Sequence, residues 1–384
     1  MKLLATLLVG GALLSASAFS DAQDKVTING SDGSTIYGDV LDTFSSPWAM
    51  AFLPDGHALV TEKTGALWLL DKAGKKRFTV DNVPQIEARG QGGLGDIIVH
   101  PNFAQNSTVF LSFVERDSKD DDYSGAVVES AKLNISENGA ALTDRKRIWL
   151  QSPKMTGNGH YGHRLAVSPD GYLFITSGER QKFTPAQNMS TNLGKVIRLN
   201  QDGTAPKDNP FYGNGEIDNQ IWTLGHRNPL GIDFDATGRL WVHEMGPRDG
   251  DELNLIERAR NYGYPLVSEG DHYSGVKIPD HESIPVFRKP VVAWVPAISP
   301  AGFIIYKGNK FKDWTGNGFL GGLSSQALVR VEFSEHEKRP NLRAEEAARY
   351  EWGHRVREIE QSSSGDIYVL EDGGNGRLLK LRLE

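Results

Sequence analysis

A strand–turn–strand pattern recurs six times along the chain and constrains the fold more than any other feature. The copies lie at 47–70, 93–115, 162–180, 228–246, 301–331 and 356–383. Each contains an apolar run, a tight turn and a second apolar run, which is typical of antiparallel hairpins. One such hairpin cannot bury both faces of its sheet, whereas several copies packed radially around a channel can. The sequence therefore predicts an all-β fold, a six-bladed β-propeller. A large β-sandwich and a pair of β domains are the alternatives, with short helices expected at most over 254–260 and 343–353.

The N-terminal segment predicts export of the protein. Lys2, an apolar run over 3–14 and an Ala-Ser-Ala sequence at 16–18 have the form of a secretory leader that spans 1–22. The apolar run is about a dozen residues, too short to cross a bilayer, which takes about 20. We therefore expect a single propeller domain over 23–384, located in the periplasm and without membrane insertion.

Charge and composition exclude several classes of function. The net charge of −7 argues against a surface for nucleic acid or anionic membrane. The chain has no cysteine, so thiol catalysis and cysteine-ligated metals are impossible. It also lacks the nucleophile elbow of serine hydrolases, the HExxH motif of zinc proteases and the Walker loop of NTPases.

The segment 225–264 combines donors suited to carboxylates with oxygens suited to a cation. Arg227 carries a planar fork of donors, and Asn228, held extended before a proline, can donate and accept. The turn Gly246-Pro247 must leave the strand ladder because proline has no N–H to donate. Its freed carbonyls and the acids that follow, Asp249, Asp251 and Glu252, are the oxygen ligands that calcium prefers. A solvated acidic loop is the alternative.

Two histidines stand three residues apart, just before an apolar strand. His160 lies in a glycine-rich stretch, where an imidazole with a pKa near neutrality is a candidate general base. His160 and His163 could instead bind a metal, or could be ordinary loop histidines.

Further cations and an aromatic residue occur in other loops between the predicted blades. Arg355 and Arg357 lie on the same side of an extended segment, and with Arg227 they would suit a small anion with several carboxylates. The alternative is a charged strand face in which these arginines pair with Glu358 and Glu360.

Two other loops could hold a flat ligand. Tyr273 lies in a glycine-flanked loop and could stack on a planar ring. Gln91 lies in the glycine-rich stretch 90–95, which allows a ligand to approach the backbone closely. A tight turn that begins a blade explains the same glycines.

These motifs, in this order, resemble a known family. GQGGLGDIIVHPNF, HYGHRLAVSPDGYLFITSGE, GHRNPLGIDF, EMGPRDGDELNLI, DHYSG, PAISPAGFIIY and RVREI are similar to the soluble sugar dehydrogenases that depend on pyrroloquinoline quinone (PQQ). Within that group the chain most resembles the aldose sugar dehydrogenases of the glucose/sorbosone dehydrogenase family. The likeness runs from about residue 40 to the C-terminus.

The resemblance implies a six-bladed propeller with PQQ across its mouth and His160 as the general base. The positions that match cofactor contacts of the family are Gln91, Arg227, Asn228, Tyr273, Arg355 and Arg357. The carbonyls of Gly246 and Pro247 match those that hold calcium beneath the quinone. Glu252 and Tyr262 match ligands of a further calcium.

The implied reaction is oxidation of an aldose at C1 to the lactone. His160 would take the hydroxyl proton while hydride passes to the quinone, calcium would act as a Lewis acid, and electrons would leave to an external acceptor. The protein would act as a monomer or homodimer. The alternatives are a calcium-dependent sugar lactonase and a non-catalytic propeller that binds glycans or proteins.

Two positions depart from the family pattern. Ser324, in the cofactor-contact set, stands where the family often carries a lysine. A neutral hydroxyl makes a hydrogen bond roughly half as strong as a charge-assisted one, so we expect PQQ binding to depend more on calcium and the arginines. His163 stands where the family tends to have a small residue, and we expect it to crowd the base.

Overall fold

The computed structural model describes residues 25–336 and 339–383, and the predicted leader at 1–22 lies outside them. Within these ranges, nearly all regular structure is β-strand. The exceptions are one helical turn, α1 (Phe103–Asn106), and four 3₁₀ turns at Thr184–Gln187, Asp218–Gln220, His281–Ser283 and Lys312–Trp314. The all-β prediction is confirmed.

The strands form six consecutive antiparallel modules, and in the first five of them four strands follow one another in sequence order. The N-terminal strands β1 (Lys25–Asn29) and β2 (Thr35–Phe44) precede them. Module A contains β3 (Pro47–Phe52), β4 (Ala58–Glu62), β5 (Leu67–Leu70) and β6 (Lys76–Asp81). Module B contains β7 (Leu94–Val99), β8 (Thr108–Arg116), β9 (Tyr123–Ser136) and β10 (Gly139–Leu150), and the short β11 (Met155–Thr156) pairs with β9. A short parallel contact between β6 and β10 joins modules A and B into one nine-stranded sheet.

The remaining modules repeat the same antiparallel order. Module C contains β12 (Gly162–Val167), β13 (Leu173–Ser177), β14 (Lys195–Leu199) and β15 (Ile221–Leu224). Module D contains β16 (Pro229–Phe234), β17 (Leu240–Glu244), β18 (Asp251–Ile256) and β19 (Val292–Trp294). Module E contains β20 (Pro300–Ile305), β21 (Gly318–Gly322), β22 (Ala327–His336) and β23 (Arg339–Glu351).

Module F joins the two ends of the chain. Its strands β24 (Val356–Gln361), β25 (Ile367–Glu371) and β26 (Gly376–Leu383) are followed in the sheet by β2 and then β1. Strand β2 runs antiparallel to β26, with Ile36 opposite Leu383 and Phe44 opposite Gly376. The fourth strand of the last module therefore comes from the N-terminal part of the chain.

The first strands of the modules form a closed cycle of contacts. Strand β3 contacts β7, β7 contacts β12, and the series continues through β16 and β20 to β24, which contacts β3 again. The arrangement is propeller-like, since each module packs against the next around a common centre.

Six apolar clusters fill the interfaces between neighbouring modules. Adjacent residues of one strand serve opposite interfaces, because successive side chains of a strand point to opposite faces. In β4, Leu59 packs towards module B while Val60 packs towards module F, and both are fully buried. Burying each such side chain contributes about 1.5–3 kcal/mol. The alternating pattern therefore stabilises the interfaces that each module forms with its two neighbours.

Two expectations of short helices are wrong. Residues 343–351 lie in β23 and residues 254–256 lie in β18. In both places pairing with a neighbouring strand overrides the local helix propensity. No helix within residues 25–336 and 339–383 is long and apolar enough to span a membrane.

Candidate active site

Two adjoining cavities lie where the first strands of the modules begin. Their volumes are about 500 and 330 Å³, and they share Gln91, Met245 and Ser299 as lining residues. Most lining residues lie at or near the start of a first strand, as Asn228 precedes β16, or follow a second strand, as Met245 follows β17. Antiparallel pairing brings these two kinds of strand end to the same end of the ring.

Most of the predicted site residues line these two cavities. The larger is lined by Asn228, Arg355 and Arg357, the smaller by His160, Arg227, Gly246, Pro247 and Tyr273, and both by Gln91. Ser324, Glu252 and Tyr262 are not among the residues that line either cavity. The structure thus brings together nine of the twelve predicted residues.

His160 is held in place by three polar contacts. Its backbone is left-handed, with φ of 49°. Its N–H donates to Oε1 of Gln91 at 2.7 Å, and its carbonyl accepts from the N–H of Arg180 at 3.1 Å. Nδ1 of the ring lies 2.5 Å from Oε1 of Glu179. Within the described residues, Nε2 has no hydrogen-bond partner, and the residue lines the smaller cavity.

Glu179 fixes the tautomer of His160. Its second oxygen, Oε2, accepts the N–H groups of Lys182 at 2.5 Å and Phe183 at 2.7 Å. Burial alone would raise the pKa of Glu179, but the hydrogen bonds from His160 and the backbone hold that pKa below its ordinary value. The charged carboxylate therefore accepts the proton on Nδ1 and leaves the lone pair of Nε2 available.

Burial also determines the protonation state of His160. Burial lowers the pKa of the imidazole. The hydrogen bond to Glu179 raises this pKa, whereas the positive charge of Arg227 lowers it further, and the net shift is downward. A neutral imidazole with an available Nε2 can act as a general base near neutral pH.

Arg180 supports the backbone that precedes His160. Its guanidinium donates to the carbonyls of Gly159 at 3.0 Å, Ser124 at 2.7 Å and Gly157 at 2.5 Å. It also lies 3.9 Å from the ring centroid of Tyr161. Glu179 and Arg180, adjacent in sequence, thus hold the side chain and the approaching backbone of the candidate base.

His163 has a structural environment. Its ring stacks on Trp48 with centroids 5.0 Å apart, and Nδ1 lies 2.8 Å from Oγ of Ser112. Complete burial lowers its pKa to about 3. A Cβ on Gly95 would lie 2.0 Å from Cε1 of His163, so the glycine gives this ring its space.

The Arg227-Asn228 corner carries buried polar atoms without protein partners. Glu244 accepts the N–H of Arg227 at 2.5 Å, and the guanidinium of Arg227 donates to the carbonyls of Met245 at 3.0 Å and Gly246. Within the described residues, Nε of Arg227 and both side-chain polar atoms of Asn228 have no partner. Asn228 is only 1% exposed. Leaving a buried amide unpaired costs about 1–3 kcal/mol per group, so this corner is suited to a polar ligand.

Arg355 and Arg357 are joined by one carboxylate. Asp372 accepts from Nε of Arg355 at 2.7 Å and from Nε and a terminal nitrogen of Arg357 at 3.1 and 3.0 Å. The alternative pairing with Glu358 is wrong for these arginines, because Glu358 lies 2.6 Å from the guanidinium of Arg164. Two guanidiniums share one acid, which leaves net positive charge in the larger cavity.

The acidic loop after Gly246-Pro247 is not a solvated loop. Asp251 accepts the N–H groups of Gly246 at 2.8 Å, Ile298 at 2.8 Å and Ser299 at 2.6 Å. Asp249 accepts the N–H of Ala297 at 3.0 Å. These carboxylates therefore join the loop of module D to the entry of module E and fix the Gly246-Pro247 turn, which lines the smaller cavity.

Glu252 and Tyr262 lie apart from the two cavities, in a buried acidic region. The amide of Asn254 donates to Glu244 at 3.3 Å and to Glu252 at 3.1 Å, while its own Oδ1 has no partner within the described residues. Burial raises the pKa of Glu252 well above its ordinary value, and the charge of Glu244 raises it further. The carbonyl of Tyr262 accepts from Nε2 of His281 at 2.9 Å.

Ser324 and Tyr273 occupy the rim. Ser324 is exposed, and its hydroxyl lies 3.5 Å from the carbonyl of Ala297, which lines the smaller cavity. Tyr273 is 74% exposed, and the guanidinium of Arg227 lies 6.0 Å from its ring centroid.

Sequence reasoning missed four residues that shape the site. These are Lys63, which lines the larger cavity, and the carboxylates Glu179, Glu244 and Asp372. Each lies at or just beyond the end of the second strand of its module, and that position is the signal that could have identified them.

A model of the glucose/sorbosone dehydrogenase family matches residues 44–380. The chain belongs to the glucose/sorbosone dehydrogenase family. Aldose sugar dehydrogenase YliI of Escherichia coli is 35% identical to it, over 88% of this chain and 91% of that protein. Quinoprotein glucose dehydrogenase B of Acinetobacter calcoaceticus is 29% identical to it, over 78% of this chain and 66% of that protein. The predicted family is confirmed, and with it the prediction that the chain is an oxidoreductase.

Solved structures agree with this assignment. The crystal structure of the soluble aldose sugar dehydrogenase of Escherichia coli in the apo-form matches with a TM-score of 0.83 and 34% identity. The match covers 91% of this chain and 100% of that one.

Proposed function

We propose that this member of the family oxidises aldose sugars at C1 to the lactone, with PQQ and calcium as cofactors. One observation carries the proposal. His160, whose Nε2 is available, lines a cavity that adjoins Arg355, Arg357 and the amide of Asn228, which has no partner among the described residues. A base next to cationic and amide donors suits oxidation of a sugar hydroxyl beside a flat polycarboxylate.

The residues present fit PQQ in the larger cavity. Its volume lies within the range of ligand pockets, about 300–1,000 Å³. Arg355 and Arg357 would hold carboxylates, Asn228 would supply donor and acceptor, and Gln91 would also contact the cofactor. Arg227 and Tyr273 would hold it from the smaller cavity. Ser324, from the rim, would contribute at most a neutral hydrogen bond.

Backbone oxygens fit the first calcium. Gly246 and Pro247 line the cavity, and the carbonyl of Gly246 already accepts from a cation, Arg227. Calcium prefers such hard oxygen ligands. Glu252 and the carbonyl of Tyr262 would hold a further calcium, and the unpartnered Oδ1 of Asn254 beside Glu252 and Glu244 supports this assignment.

When bound, PQQ would supply the hydride acceptor and calcium the Lewis acid. The work of the chain is to position the sugar and to move its proton. Nε2 of His160 takes the proton of the C1 hydroxyl, and Glu179 stabilises the imidazolium that results. Gln91 holds the backbone of His160, so the base keeps its orientation during proton transfer.

The wider setting follows the same proposal. The modules would be the blades of a six-bladed propeller. The closed cycle of contacts among their first strands supports this interpretation. The enzyme would be exported to the periplasm with cleavage of the leader and would transfer electrons to an external acceptor. It would act as a monomer or homodimer.

Titration of PQQ into calcium-loaded apoprotein, followed by dye reduction with a panel of aldoses, tests the proposal. We expect saturable PQQ binding and turnover that requires both PQQ and an aldose. Absence of PQQ-dependent turnover across the panel would contradict it. Lactone hydrolysis without PQQ would indicate the lactonase alternative. A melting temperature that PQQ does not change would indicate a non-catalytic propeller.

A further inference from the structure

Lys63 brings an ammonium group to the wall of the larger cavity. It follows β4, and its backbone is fixed on both sides, since its N–H donates to the carbonyl of Ser46 at 2.9 Å and its carbonyl accepts from Leu94 at 3.2 Å. Nζ donates to the carbonyl of Gly90, and both residues line the cavity. The ammonium therefore lies beside the loop that carries Gln91.

The glycine-rich loop is shaped around this lysine. A Cβ on Gly93 would lie 2.2 Å from the carbonyl oxygen of Lys63 and 2.6 Å from its Cγ. Gly93 also has a φ of 126°, which side chains rarely adopt. The loop can approach the lysine so closely only with glycine at 93, and this packing fixes the stem of the lysine along the cavity wall.

The charge of Lys63 has no compensating carboxylate in the part of the chain that the structure describes. An ammonium has three donors, and the carbonyl of Gly90 is the partner that the described part of the chain provides. No carboxylate of residues 25–336 or 339–383 forms an ion pair with it. Arg355 and Arg357, in the same cavity, both bind Asp372. Among these three cations of the cavity, Lys63 is therefore the one whose charge no carboxylate of the described residues compensates.

We propose that Lys63 is a cofactor-binding residue that donates to a carboxylate of PQQ. The inference rests on the proposed function and assigns the charge-assisted contact that Ser324 lacks. Ser324 is exposed at the rim outside the cavity lining, whereas Lys63 is in the lining itself. The affinity for PQQ then depends on the ammonium group of Lys63, which belongs to module A.

Binding of PQQ to calcium-loaded apoprotein tests the inference without any turnover. Trp48 lines the same cavity, so quenching of tryptophan fluorescence can report binding, with isothermal calorimetry as a second measurement. Lys63→Met removes the charge and keeps the stem, and Lys63→Arg keeps the charge. Lys146→Met is the matched control, because Nζ of Lys146 also donates to a backbone carbonyl, that of Asp202 at 3.1 Å, outside the cavity.

We expect Lys63→Met to raise the Kd for PQQ at least about tenfold, since one charge-assisted hydrogen bond is lost. The dependence of Kd on salt should become shallower, because one ion pair fewer is screened. Lys63→Arg should stay within about threefold of the parent and Lys146→Met within about twofold. An unchanged melting temperature of each apoprotein shows that the fold is intact, and Lys63→Gln replaces the methionine variant where it is not.

The outcomes separate this inference from the proposed function. If the unmodified protein does not bind PQQ, the proposed function fails. If it binds PQQ and Lys63→Met binds within twofold of it, the inference is overturned while the function stands.

Discussion

The molecule contains two buried histidine–glutamate pairs with nearly the same construction. Nδ1 of His160 lies 2.5 Å from Glu179, and Nδ1 of His226 lies 2.8 Å from Glu244. In both pairs the second carboxylate oxygen accepts backbone N–H groups, from Lys182 and Phe183 in one case and from Arg227 in the other.

The pairs differ at Nε2. In His226 this atom lies 2.9 Å from Oγ1 of Thr223, and the residue is completely buried. In His160 it has no partner within the described residues, and the residue lines a cavity. A carboxylate that orients an imidazole therefore does not by itself make a base. Under the proposed function, the access of the second nitrogen to substrate distinguishes the His160 pair, which would be catalytic, from the His226 pair.

The largest expected effect is that of replacing the two histidines. His160→Gln should lower kcat by about 10²–10⁴-fold, the usual contribution of a general base. PQQ binding, followed by fluorescence, should change little. His226→Gln should keep kcat within a few-fold and instead lower the free energy of unfolding by about 1–3 kcal/mol, because buried partners lose their hydrogen bonds. Equal losses of kcat in the two variants would contradict the distinction.

Replacing the two carboxylates sharpens the comparison through pH. Glu179 raises the pKa of His160, against the larger effect of burial. Glu179→Gln should therefore lower that pKa further and move the acid limb of the kcat–pH profile to lower pH. The maximum of kcat should fall by about tenfold or more as orientation is lost.

Glu244→Gln is the matched control for this change. It should leave the acid limb in place and weaken PQQ binding, because Glu244 anchors the backbone of Arg227. A shift of the limb to higher pH in Glu179→Gln would refute the assigned role.

The smallest effect should come from the hydroxyl that completes the structural pair. Thr223→Val leaves Nε2 of His226 buried without a partner and should lower the free energy of unfolding by about 1–3 kcal/mol. Thr223→Ser keeps the hydroxyl and should lower the free energy of unfolding by a smaller amount. Chemical denaturation measures both, and kcat should stay unchanged. If the Thr223→Val variant is fully folded and its kcat is nevertheless lower, His226 also takes part in the reaction.

The sequence allowed prediction of what depends on local pattern. Alternating apolar runs between tight turns predicted the strands, because each module repeats the same burial. Local pattern was misleading at 343–353, where an alanine- and glutamate-rich segment forms β23 by pairing with β22. The use of β2 as the last strand of module F also has no local signal, since it depends on a partner far along the chain.

The same distinction holds for the site. His160, Arg227 and Asn228 could be identified because each lies in a short motif just before a first strand. Glu179 and Asp372 could not, because the fold decides which carboxylate meets which cation or imidazole. The alternative in which Arg357 pairs with Glu358 is wrong because adjacent residues of β24 point in opposite directions, so Glu358 meets Arg164 instead.

The pairing of β2 with β26 has a consequence for the order of folding. Ile36 lies opposite Leu383, so this contact closes a loop of nearly the whole chain. Contacts of such long range form late, because the entropy of loop closure must be overcome before they contribute. Each interior module can form its hairpins from segments that are neighbours in sequence, but module F is complete only when β2 pairs with β26. We therefore expect the closing sheet to form last in folding and a C-terminal truncation to open the ring at this sheet first.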